Sequence, residues 1–211
     1  MKKVKINLKQ TALEQVKLII SILKKGKIVV LPTDTIYGLS CLAKNVKAIE
    51  RIRQIKKLPA NKPLLVLVSS LAMVKKYCRV NKKQEKYLMK IWPNLTPALS
   101  LVRRGGIRPV TVVLNLKKNL PRELTAGTSS LAVRLPKSEF LFKIITGVGQ
   151  PIVSTSLNIS GQKSLNNLNN LDNYFKKVRP DLVVDAGRAK RVKPSKLVDL
   201  RNMTQIKILR K

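Results

Sequence analysis

Apolar residues recur along this chain in two rhythms. Leu13, Val16, Ile20 and Leu23 share one face of a helix. Thr11 and Glu14 have the spacing of a capping box ahead of that face, and Gly26 closes it. A second helix is predicted over 45–57, with Ala48, Ile49, Ile52 and Ile55 apolar, and others over 70–79, 82–91 and 138–146. Leu168, Leu171, Phe175 and Val178 predict a last one. Short β-rich runs lie between the helices: 27–31, ending at Pro32, and 64–68, a continuous apolar run of the kind a buried strand shows. Further strands are predicted over 98–102, 110–116, 131–134, 151–154, 182–185, 196–200 and 206–209. Gly105-Gly106 would turn a hairpin between the first two of these. Helices and strands alternate early, and strands dominate late. The class is α/β: residues 1–211 form a single domain, a mixed sheet with helices packed on it.

Composition narrows the function classes. The 211 residues carry 44 Lys+Arg against 10 Asp+Glu, a net charge of +34, while 44% of them are hydrophobic. The charge therefore sits on a globular sequence and not on a disordered tail. It favours polyanions such as nucleic acid or nucleotides, or it is lysine bias, since the lysines are spread along the whole chain. Aromatics make up 4%, too few for a base-stacking platform. With no His, a His-based triad is excluded and a zinc site would need unusual ligands. Cys41 and Cys78 are too few for a disulfide framework. No apolar run is long enough to span a membrane and no signal peptide is evident, so a cytoplasmic protein without membrane partners is expected.

The familiar nucleotide signatures are missing: there is no GxxxxGK[ST], and Gly147-Val148-Gly149 lacks a third glycine. Three other stretches carry polar chemistry. In Pro32-Thr33-Asp34-Thr35-Ile36-Tyr37-Gly38, hydroxyls, a carboxylate and a phenol follow a strand. That arrangement suits either a site at a strand end or a turn capped by its own side chains. Ser154-Thr155-Ser156-Leu157-Asn158-Ile159-Ser160-Gly161 likewise follows a strand and offers donors for phosphate or carboxylate oxygens, or caps a turn. Lys56-Lys57-Leu58-Pro59-Ala60-Asn61-Lys62-Pro63 sits at a helix end, where lysines receive a polyphosphate or simply favour the helix dipole.

Taken in order, these stretches resemble the motifs of the YrdC/TsaC family of threonylcarbamoyl-AMP synthases. The other segments carrying the likeness are Arg108-Pro109-Val110-Thr111, Leu131-Ala132-Val133-Arg134-Leu135-Pro136 and Lys193-Pro194-Ser195-Lys196-Leu197-Val198-Asp199. The resemblance runs from about residue 10 to the C-terminus. It implies a twisted, open α/β sheet with a concave basic groove. It also implies condensation of L-threonine, bicarbonate and ATP into threonylcarbamoyl-AMP and pyrophosphate, with Mg²⁺ accompanying the nucleotide. The product would pass to threonylcarbamoyl-transfer proteins that make t6A in tRNA, and direct binding of tRNA or double-stranded RNA is a further expectation. By the same resemblance, Thr33, Thr35 and Ser156 would take threonine. Lys56, Asn61, Lys62, Thr111, Arg134, Ser154, Asn158 and Ser195 would take the nucleotide. Lys56 and Lys62 would be the catalytic cations that neutralise phosphate charge. No residue is an obvious general base, so alignment of substrates would carry much of the rate. No protein-held metal site is expected.

Three positions depart from the family pattern. Leu58 stands where its KxR motif has arginine, and Lys196 where its late motif has threonine. The Pro-Gly-Pro-x-Thr turn is split between Trp92-Pro93 and Arg108-Pro109-Val110-Thr111, with Ala98-Leu99-Ser100 as the other candidate for its place. YciO-like paralogs share the Leu-Pro in place of arginine, whereas Asn158 keeps the synthase SxN pattern. A YciO-like paralog with altered nucleotide chemistry and a basic RNA-binding module on the same fold are the alternative readings.

Overall fold

The computed structural model describes residues 1–92, 109–117, 120–165, 167–169, 171–175, 178–188 and 194–210. The strand expected at 98–102 and its hairpin turn lie outside them. In chain order the elements are β1 (Lys2–Lys5), α1 (Leu13–Lys24), β2 (Val29–Leu31), β3 (Gly38–Leu42), α2 (Val46–Lys56), β4 (Leu65–Leu67), α3 (Leu71–Tyr77), α4 (Lys82–Ile91) and β5 (Val110–Asn115). There follow α5 (Arg122–Thr125), β6 (Ser130–Arg134), α6 (Glu139–Val148), β7 (Ile152–Ser156), α7 (Leu171–Tyr174), β8 (Leu182–Asp185), β9 (Lys196–Asp199) and β10 (Lys207–Arg210).

Among the described residues the strands make one ten-stranded mixed sheet, ordered β1-β8-β2-β3-β7-β4-β6-β5-β9-β10. Pairing is parallel at β1/β8, β8/β2, β4/β6 and β5/β9, and antiparallel at the remaining junctions. Side chains alternate between the two faces of each strand. One face carries Val30, Leu39, Cys41, Val66, Val133, Val112 and Val198, and packs on Ala48, Ile49, Ile52 and Ile55 of α2 and on α3 and α4. The other face carries Leu182, Val184, Val29, Leu31, Leu42, Ile152 and Leu67, which α1 and α6 cover with Val16, Ile19, Leu23, Phe140, Leu141, Ile144 and Ile145. Each isoleucine or leucine so buried contributes ~1.5–3 kcal/mol. That packing, more than propensity, holds helices this short.

Local chemistry sets the boundaries. Asn45 caps α2 by accepting from the Ala48 amide at 2.9 Å, and Lys57 ends it in the left-handed region. Gly26, at φ 73°, follows α1 where a Cβ would run into the Asn45 amide group, so α1 can end directly against the α2 cap. The capping box expected at Thr11 does not form: the Thr11 hydroxyl donates to the Asn7 carbonyl, and Ala12 occupies the N-cap without a side-chain bond. Of the helix predicted around Leu168–Val178, the described residues show the single turn α7, and Leu168, Leu171 and Phe175 are buried. Among the described residues, no helix is long and apolar enough to cross a membrane.

Candidate functional site

The face covered by α1 and α6 changes character part-way across the sheet. Beyond Leu31 and Leu42 it carries Gly38 and Ser40, then Ser154 and Ser156, then Ala132 and Arg134, then Thr111, with Ser195 just ahead of β9. Alternation therefore collects hydroxyls and a guanidinium on one surface that an apolar strand pattern would have filled with Val and Leu.

The turn between β2 and β3 closes on its own side chains. Thr33 Oγ1 donates to the Ile36 carbonyl at 2.6 Å and accepts from the Thr35 and Ile36 amides. It also lies 3.0 Å from Thr35 Oγ1. Thr33 thus shapes the turn, and Thr35, 6% exposed, is held toward Arg134. The adjoining Gly38 pairs with Ser156 in the sheet, and a Cβ on it would stand 2.8 Å from Ser154 Oγ. The glycine is what lets this turn lie against β7.

Lys56 lies beneath the surface, 3% exposed. Its ammonium donates to the Ser156 carbonyl at 2.5 Å, the Asn158 carbonyl at 2.8 Å and Asn158 Oδ1 at 2.9 Å. Its own carbonyl accepts from the Ser160 amide at 2.7 Å. Ser156 Oγ donates to Asn158 Oδ1, and Asn158 Nδ2 donates to the Ile159 and Gln162 carbonyls. The last residue of α2 therefore grips the whole corner after β7. Burial, helped by neighbouring Lys62, pulls the Lys56 pKa down to about 8. Asn61 and Lys62 themselves are exposed. They sit on a turn whose carbonyls, at Pro59 and Lys62, accept from Arg53, which also reaches the Glu123 carbonyl. Leu58, at the family's arginine position, packs against the core instead.

On the other side, Thr111 and Ser195 share a hydrogen bond of 2.8 Å, both almost fully buried. Arg210 joins them from β10, donating through Nε to the Ser195 carbonyl and through Nη2 to Ser195 Oγ. Arg134 crosses to the β2–β3 turn, where Nη2 donates to Asp34 Oδ1 at 2.5 Å. Burial and nearby Arg210 lower the Arg134 pKa, and Asp34 opposes the drop.

The expected residues thus fall into groups: Thr33, Thr35 and Arg134; Ser156, Asn158 and Lys56, with Ser154 on the same face of β7; Thr111 and Ser195; and, more exposed, Asn61 and Lys62. Sequence reasoning missed Arg53 and Arg210 as parts of the site's frame, and named Asp34 and Tyr37 only within their stretch, without a role. Tyr37 Oη donates to the Gly187 carbonyl at 2.6 Å and accepts from the Ala186 amide at 2.9 Å, anchoring the segment after β8 to the turn. No local signal marks Arg210 among so many basic residues. Chemically, the assembly offers neutral hydroxyls for a small polar substrate and guanidiniums for an anion. Its carboxylate, Asp34, accepts from Arg134 and from the Lys137 amide. Among the described residues there is no cluster of three His, Cys, Asp or Glu that could hold a metal.

The family described as Sua5_yciO_yrdC, telomere recombination, matches residues 21–211. The chain is 28% identical over 180 residues to the threonylcarbamoyl-AMP synthase of Pyrococcus abyssi, covering 84% of this chain and 48% of that protein. It is 28% identical over 183 residues to the Klebsiella pneumoniae threonylcarbamoyl-AMP synthase, covering 85% and 88%. The crystal structure of P. abyssi Sua5 complexed with L-threonine matches with a TM-score of 0.80 at 26% identity, over 95% of this chain and 54% of that one. E. coli YciO shares the fold, with a TM-score of 0.78 at 23% identity over 100% and 94%. The chain therefore spans about half the length of the Pyrococcus protein and most of the Klebsiella one.

Proposed function

The chain belongs to the Sua5/YciO/YrdC family, and from that premise we propose that it is a threonylcarbamoyl-AMP synthase that condenses L-threonine, bicarbonate and ATP. The observation that carries the reading is the convergence, on one sheet face, of the Thr33–Thr35 hydroxyls, Ser154 and Ser156 with Arg134, Thr111 and Ser195. Hydroxyls match a zwitterionic amino acid that brings its own charges, and guanidiniums match a triphosphate.

In this reading, the threonine amine takes up bicarbonate with loss of water, giving a carbamate. A carbamate oxygen attacks the α-phosphorus and pyrophosphate leaves. Thr35 and Ser156 orient threonine. Arg134 and Lys62 neutralise charge gathering on the leaving pyrophosphate, where a donor placed in advance acts without reorganising. Lys56 works at one remove, since its ammonium holds the Ser156–Asn158 corner on which threonine would rest. Thr111 and Ser195 bind the nucleotide. Mg²⁺ arrives with ATP as part of that substrate. The adenylate would then serve threonylcarbamoyl-transfer proteins that act on tRNA.

ATP–pyrophosphate exchange tests the proposal. Exchange that requires both L-threonine and bicarbonate supports it. Exchange without threonine, or none under any condition, rejects it in favour of a YciO-like paralog or an RNA-binding module.

A further inference from the structure

Asp34 was singled out by the sequence only as one polar group in a turn, and the mechanism above gives it no task. Its surroundings give it one. The Asp34 and Arg134 side chains are 5% and 6% exposed, so both charges are buried. Burying a charge is tolerated only where geometry and hydrogen bonding are good. Here they are good on the carboxylate side: Asp34 Oδ1 accepts from Arg134 Nη2 at 2.5 Å, and Oδ2 accepts from the Lys137 amide at 3.0 Å. The carboxylate thus joins the β2–β3 turn to the end of β6 and to the bend that follows it.

The guanidinium side is left incomplete. Nη1 reaches Thr35 Oγ1 only at 3.4 Å, and the buried Nε has no hydrogen-bond partner among the described residues. A guanidinium is a rigid planar fork, so fixing one Nη on Asp34 also fixes where Nε points. A second guanidinium, that of Arg210, is near enough to act on Arg134 electrostatically. What remains unfilled around Arg134 is donors, so its complement is an anion with oxygen acceptors.

We propose that Asp34 is a positioning residue: by clamping Arg134 through one oxygen and the Lys137 amide through the other, it aims the guanidinium's free edge at a phosphate or pyrophosphate oxygen of the substrate. The proposal deepens the synthase reading and rests on it for the identity of the anion. A residue that only balanced charge would behave in the opposite way. Removing a negative charge from an anion site should tighten anion binding, whereas removing a clamp should weaken it.

Calorimetric titration with inorganic pyrophosphate tests this without needing turnover. Asp34→Asn can satisfy only one of its two donors, since its amide nitrogen meets another N–H. It should weaken pyrophosphate binding about tenfold, a coupling worth ~1.4 kcal/mol. Asp34→Glu, which keeps the charge and both acceptors, should recover most of the affinity. In the Arg134→Ala background, Asp34→Asn should no longer weaken binding, because the clamp then has nothing to aim and only the loss of a negative charge remains. Should Asp34→Asn fail to fold, Arg134→Lys carries the same test: it keeps a cation for Asp34 but not the fork, and should lose a similar factor. Tighter binding in Asp34→Asn, an undiminished effect without Arg134, unchanged affinity in Arg134→Lys, or wild-type protein that binds no pyrophosphate would each overturn the proposal. If the coupling is found but no adenylate is ever made, the clamp stands and the synthase reading falls.

Discussion

Replacing Lys56 by Met should cost stability and also change how stability depends on pH. The substitution keeps most of the side chain's volume and removes an ammonium that donates to two carbonyls and an amide oxygen between 2.5 and 2.9 Å. Hydrogen bonds from a charged donor contribute ~1.5–3 kcal/mol each. Against them stands the cost of burying the charge. A pKa brought from 10.5 to about 8 corresponds to about 3 kcal/mol. Ser156 O keeps the Asn158 amide as a partner, and Asn158 Oδ1 keeps the Ser156 hydroxyl, which softens the loss. The net destabilisation is about 2–4 kcal/mol at neutral pH, or a drop in Tm of roughly 5–15 °C for a chain of this size. The pH dependence follows from linkage. Below about pH 8, Lys56 is protonated in both states and contributes no slope. Between about 8 and the unfolded value of 10.5, the unfolded chain binds the extra proton, so wild-type stability rises with pH. Urea unfolding of both proteins at several pH values from neutral to above 10 measures both effects. The variant should lie below the wild type at neutral pH and lack part of its alkaline rise. Equal stability at neutral pH would refute the hold of Lys56 on the Ser156–Asn158 corner, and parallel pH profiles would refute its lowered pKa.

Gly38→Ala places a methyl group 2.8 Å from Ser154 Oγ; steady-state kinetics should show a raised KM for threonine, and an unchanged KM would detach this turn from the amino-acid site. Tyr37→Phe removes the link to Gly187 and Ala186, a loss of ~1–3 kcal/mol; hydrogen exchange at the Ala186 amide should quicken, and unaltered protection would mean the phenol holds nothing. Thr111→Val breaks the hydroxyl pair with Ser195; the KM for ATP should rise several-fold while that for threonine stays put, and equal changes in both would contradict the division of the site.

Much of the architecture could be read from apolar spacing, because α2, α6 and the inner strands bury regular faces. Two strands escaped for physical reasons. β1 is the basic edge segment Lys2–Lys5, paired with β8 from the far end of the chain, so nothing local announces it. β3 does alternate, Leu39 and Cys41 against Gly38 and Ser40, but it is short and directly follows the polar Thr33–Tyr37 stretch, so it blends into the turn. Thr11 looked like a cap because spacing cannot show that the Asn7 carbonyl competes for its hydroxyl. At the site, the resemblance pointed to segments, and the structure brings several of their residues within hydrogen-bonding reach. The connections themselves were not legible: Lys56 to Asn158, Asp34 to Arg134 and Thr111 to Ser195 all join residues far apart in sequence. Arg210 is one arginine among 44 basic residues, and only the pairing of β10 with β9 brings it to Ser195.

Carbon from labelled bicarbonate traces the proposed synthase activity step by step. Purified protein is incubated with labelled bicarbonate, L-threonine, ATP and Mg²⁺, and the nucleotide products are separated. A new adenylate should carry the label, appear with stoichiometric pyrophosphate, and vanish when threonine is left out. A labelled adenylate that forms without threonine, or an adenylate that never acquires the label, would contradict it.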